Sequence, residues 1–155
     1  MKKTLFLLLV VFLVSGVSQA VAYDYGVSVN DKVVWDESYV GNGGEFGFSV
    51  VGTDVEWSTF CVEYIEHLPW GGTEMTVTGI SNANTSATAT LTDTVSWLYW
   101  NFSKGSLDGY SSNSTNDQSD LQQLIWLELG VIDTASYYDD GQVANWLQWA
   151  SDDSD

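Results

Sequence analysis

The hydrophobic period changes partway along the chain, and that change restricts the fold more than any other feature. Up to about residue 80 apolar residues alternate in short runs. Tyr25-Gly26-Val27-Ser28-Val29 and Phe46-Gly47-Phe48-Ser49-Val50 are the clearest, and Val33-Val34-Trp35 follows the turn pair Asn30-Asp31. Gly41-Asn42-Gly43-Gly44 and Gly52-Thr53-Asp54 separate the runs as loops. Thr59 to Ile65, β-branched and aromatic, reads as a central strand, and Met75 to Ile80 as a further strand. Residues 81–92 are small and Thr-rich, an exposed strand or a long loop.

Beyond them the spacing becomes helical. Asp93 can cap a helix through Val95, Leu98, Tyr99 and Phe102, closed by Gly105. Asp117 or Ser119 can start a second, through Leu121, Leu124, Ile125 and Leu129, stopped by Gly130. A third is expected over Gln142–Ala150, with Val143, Trp146, Leu147 and Trp149 inward. Strands followed by helices predict an α+β domain: an antiparallel β-sheet or sandwich in the N-terminal half, with about three helices packed on it from the C-terminal half.

The N-terminus carries an export signal. Lys2 and Lys3 precede the apolar run Leu5–Val14, and Ala20-Val21-Ala22 has the small-x-small form of a cleavage site. Cleavage after Ala22 is expected, with Ala20 the alternative, giving a signal peptide over 1–22 and one domain over 23–155. The run is short for a membrane span, which needs about 20 residues. The expected location is therefore extracellular or at the cell surface, without membrane insertion after cleavage.

Removal of Lys2 and Lys3 leaves two Lys and no Arg against 21 Asp and Glu, a charge of −19. Such a surface repels nucleic-acid phosphates and attracts basic partners. No metal or cofactor is expected: His67 stands alone, no calcium-loop pattern surrounds Asp139-Asp140 or Asp152-Asp153, and no nucleophile-elbow motif is present.

One cysteine, Cys61, excludes an intramolecular disulfide. Its thiol is buried, paired to another chain, or chemically used. Two segments bear on the third possibility: Phe60-Cys61-Val62-Glu63, and Leu121-Gln122-Gln123-Leu124-Ile125-Trp126, with Trp97-Leu98-Tyr99 between them. This set resembles the thioester domains of bacterial surface adhesins, and related exported proteins that often carry a C-terminal sorting tail, over roughly residues 46–150. The family pattern is an aromatic-Cys-aliphatic strand, a Trp-Leu-Tyr helix, and a helix with Gln four residues before Trp. Cys61 and Gln122 stand at the matching positions, with Trp126 four residues on. Leu121 stands where the adhesins often have Thr, Gln123 offers a second amide one residue out of register, and no sorting tail follows.

The resemblance implies a bond between the Cys61 sulfur and the Gln122 side-chain carbonyl, formed with loss of ammonia. An amine, most simply a Lys on a surface protein or matrix component, would then open it to an amide (isopeptide) cross-link. Such attachment occurs once per molecule and is not multiple-turnover catalysis. Glu63, on the face of Cys61 if the segment is a strand, is a possible proton acceptor. Trp126 would support the Gln122 helix face. The alternatives are a non-covalent surface or matrix protein on the same fold with an inert Cys61, and a carbohydrate-binding module using exposed aromatics among the eight Trp and eight Tyr.

Overall fold

The structure is a computed structural model and describes residues 26–35, 43–62, 64, 71–79 and 90–153. The segment expected to be an export signal, Glu63, His67 and the Thr-rich stretch up to residue 89 lie outside the described residues. The fold is α+β, with a four-stranded antiparallel sheet from the N-terminal half and three helices from the C-terminal half.

The strands are β1 (Lys32–Trp35), β2 (Phe46–Val50), β3 (Glu56–Thr59) and β4 (Glu74–Thr76), in the order β3-β2-β1-β4. Val33 lies opposite Val50 on one side and Met75 on the other, and Trp35 lies opposite Phe48. This register places the alternating apolar residues on one face, because successive strand side chains point to opposite sides. Val33, Trp35, Phe46, Phe48, Val50 and Met75 are all buried in one cluster. The Asn30-Asp31 turn forms as expected: Asn30 takes a left-handed φ of 79°, and Asp31 accepts a hydrogen bond from the Ser28 N–H.

Three expectations for the strands are corrected. Residues 26–29 are not a strand, although Val27 is buried in the sheet core. Thr59 to Ile65 is not a central strand: β3 ends at Thr59, lies at the sheet edge, and is followed by non-strand backbone over 60–62. Cys61 is therefore not on a strand, and the Glu63 half of the expected shared face lies outside the described residues. The last strand is shorter than Met75–Ile80: β4 ends at Thr76, and Ile80 lies outside the described residues.

The helices are α1 (Asp93–Ser103), α2 (Thr115–Glu128) and α3 (Asp140–Asp152). Each begins at a side-chain cap that occupies a backbone N–H left unpaired by the first turn. The caps are Thr92, Ser114 and Asp139, each just N-terminal to the expected start. Ser114 and Asp117 pair reciprocally: Ser114 Oγ accepts from the Asp117 N–H and donates to its carboxylate. Leu98, Leu121, Leu124, Ile125, Val143 and Trp146 form a second core between the helices. Trp97 ties α1 to the end of α3, its indole N–H donating to the Asp153 carboxylate at 2.7 Å. No helix among the described residues is long and apolar enough to cross a membrane.

Candidate functional site at the junction of sheet and helices

Among the described elements only α1 touches the sheet, at β3. Further connections come from the segment before β2 and from the two residues that follow β3. Phe60 belongs to the helical core, edge-on to Phe102 at 4.9 Å, whereas Cys61 packs against the sheet core. Two consecutive side chains thus enter different cores, which places their backbone in the seam.

A backbone in that position needs partners for its polar groups, because an unpaired buried amide costs about 1–3 kcal/mol. Helical side chains provide them. The Tyr99 hydroxyl accepts from the Phe60 N–H and donates to the Phe60 carbonyl. Gln122 does the same one residue on: its Oε1 accepts from the Cys61 N–H at 3.0 Å, and its Nε2 donates to the Cys61 carbonyl at 2.7 Å. These bonds replace the ladder a neighbouring strand would offer, which is why the strand-like sequence after Thr59 leaves the sheet.

The structure therefore brings Cys61 and Gln122 together. Gln122 is 1% exposed, Cys61 is half-buried and in no disulfide. A second donor, the Gly44 N–H, faces Gln122 Oε1 at 3.4 Å. Two backbone N–H groups on one carbonyl oxygen draw electron density from its carbon, the arrangement that stabilises negative charge developing on that oxygen. Gly43 makes this approach possible. It holds a φ of +147°, and a Cβ there would lie 2.6 Å from Gln122 Cγ and 2.7 Å from Trp126 Cη2.

The two consecutive glutamines are distinguished by geometry. One helical residue apart, they face about 100° apart. Gln123 is turned to the loop before α3, donating to the Ser136 carbonyl at 2.7 Å and accepting from the Ser136 N–H at 2.9 Å. Its amide is not at Cys61. Trp126 is buried beside Gln122, with Tyr64 edge-on to it at 4.9 Å; its indole N–H finds no acceptor among the described residues. Glu63 lies outside the described residues.

Gly43, Gly44 and Asp120 were not singled out from sequence as parts of the site, and Tyr99 entered only as part of the Trp97-Leu98-Tyr99 segment of the family resemblance. The Gly-rich run was legible only as a loop, and nothing local marks Tyr99 as a backbone partner. Asp120, 2% exposed, sits two residues before Gln122 and three before Gln123 on α2, and accepts from the N–H groups of Tyr138 and Asp139. Asp139 itself caps α3 through the Gln142 N–H. Comparison with protein-family models, curated proteins and solved structures finds no match.

Proposed function

We propose that the protein is an exported surface or matrix attachment protein in which Cys61 and Gln122 form an internal thioester. The observation that carries this reading is the Gln122 amide held on the peptide of Cys61, with its carbonyl oxygen between two N–H donors. In the reaction the Cys61 Sγ bonds to the Gln122 Cδ, the Cδ–Nε2 bond breaks, and the nitrogen leaves as ammonia with the thiol proton. The thiolate is the attacking form. Holding the amide on the Cys61 peptide leaves only the Cys61 side chain to be brought onto the Cδ, which lowers the entropic part of the barrier. A primary amine on a partner then attacks the same carbon, giving an amide to Gln122 and restoring the thiol. The acidic surface draws Lys-bearing partners toward it.

A second reading has its own support. Gln123 makes the same bidentate pairing with Ser136, where no thiol is present. Gln122 would then be a structural tie, Cys61 an inert thiol, and the protein a non-covalent surface scaffold.

Intact mass separates the two. The covalent reading expects the mature protein to be lighter than its sequence by one ammonia. Methylamine should add to it and release a titratable thiol, and Cys61→Ala should abolish both effects. Full mass together with a free thiol in freshly purified protein ends the covalent reading.

A further inference from the structure

A cleft of about 380 Å³ opens beside the junction, within the range of small-molecule sites. Gln122 and Trp126 form part of its wall. Its lining differs from the rest of the surface. In a chain with 21 Asp and Glu, no charged side chain lines the cleft among the described residues. A cationic ligand would meet no carboxylate in the wall and an anionic one no ammonium, while the overall negative charge disfavours anions further.

The residues that are present are of two kinds. Tyr64 and Tyr138, 47% and 70% exposed, stand in the lining, Tyr64 with its ring edge-on to Trp126. Asn116, Ser119 and Gln123 bring amide and hydroxyl groups, and the Asn116 side chain is engaged by no described residue. Exposed aromatic rings beside neutral donors and acceptors suit a ligand with apolar C–H faces and a hydroxyl rim. The wall is also held in place. Asp120 fixes the backbone at Tyr138 and Gln123 fixes it at Ser136, so little ordering is needed on binding.

We infer that this cleft is a binding site for a neutral saccharide, one or two sugar units at the end of a glycan. The inference goes beyond the attachment reading and does not depend on it, because the binding is non-covalent and Cys61 is not in the lining. Under that reading it would hold a glycan-bearing partner against the Gln122 carbonyl.

The test uses the mature chain carrying Cys61→Ala, which removes any covalent capture. Neutral oligosaccharides of glucose, mannose, galactose and N-acetylglucosamine are titrated by tryptophan fluorescence and saturation-transfer NMR. At least one should bind saturably, with a Kd of about 1 mM for a single unit. Tyr138→Ala should weaken it about tenfold and Asn116→Ala by a smaller factor. Tyr138 is so exposed that its loss leaves the fold intact, which circular dichroism checks. Trp100→Ala, outside the cleft, should bind as the parent does. Failure of every sugar to saturate, or unchanged binding by Tyr138→Ala, overturns the inference. So does Tyr138-dependent binding of a Lys-containing peptide where the sugars fail. Neither result bears on the ammonia deficit.

Discussion

The two cores of this protein are assembled by different means. Each helix carries its own start, a Thr, Ser or Asp cap within three residues of the N–H it satisfies. The strands have no such autonomy. They are three to five residues long, and Val33 meets its partner Met75 only after the chain has travelled through β2 and β3. Strands this short gain stability only from neighbours and from a buried face. The helical half is therefore specified locally and the sheet by distant pairing. The candidate site draws Gly44 and Cys61 from one half and Gln122 from the other, so it exists only when both have formed.

The strongest way to break that contrast is Trp146→Ala. Trp146 is fully buried among the helices, and its indole N–H donates to the Asp108 carbonyl at 2.9 Å. Its removal should cost about 3–5 kcal/mol. Because the sheet depends on the junction at Phe60 and Cys61, its strand amides should lose protection in the same urea transition as the helical ones. Strand amides that stay protected in hydrogen exchange after the helices have melted would mean that the sheet stands alone.

Gly43→Ala sharpens the comparison at the seam itself. The added Cβ meets Gln122 and Trp126 at under 3 Å, in a backbone conformation that L side chains rarely adopt. Overpacking and backbone strain together predict a loss of about 2–4 kcal/mol. Gly52 supplies the reference: its φ is +80°, but nothing lies within 4 Å of a Cβ there. Gly52→Ala should cost about 1–2 kcal/mol, from strain alone. The excess at Gly43, read from urea midpoints, measures how tightly the loop packs on α2. Equal losses at the two glycines would show that the close approach carries no energy.

What could be read in the sequence follows the same division. The existence and order of the three helices were legible because apolar spacing and caps are local. Their starts were misplaced because Thr92, Ser114 and Asp139 stand beside other residues equally able to cap, among them Asp93, Asp117 and Ser119. The alternating runs at Val33 and Phe46 were legible as strands. Thr59 to Ile65 misled because its composition is that of a strand, while the partners of its backbone are the side chains of Tyr99 and Gln122. No local pattern reveals that a helix 40 or 60 residues on will substitute for a neighbouring strand. Cys61 and Gln122 were paired in the sequence only by family resemblance. The roles of Gly43 and Asp120 depend on packing that sequence spacing does not encode.

The smallest effect is expected at a second tie across the seam. The Tyr110 hydroxyl donates to the Glu45 carboxylate at 2.7 Å, joining the segment before β2 to the helical core through contacts with Phe60 and Phe102. Burial, and then the neighbouring Glu45, raise the Tyr110 phenol well above its ordinary value of 10.0. The direction fixes the sign of the pH dependence. A phenol that holds its proton more tightly when folded contributes fully below the unfolded pKa. Above it, the unfolded chain releases a proton that the folded chain retains, and stability falls as pH rises. Tyr137, raised chiefly by burial, contributes in the same direction. Urea midpoints should therefore hold steady up to about pH 9 and decline from about pH 10 upward. Tyr110→Phe should lower the neutral-pH midpoint by about 0.5–2 kcal/mol equivalent, since it removes a hydrogen bond to a charged group. It should also flatten the alkaline decline, leaving the part due to Tyr137. A variant that declines as steeply as the parent would show that the Tyr110 proton is not held more tightly in the folded chain than in the unfolded one.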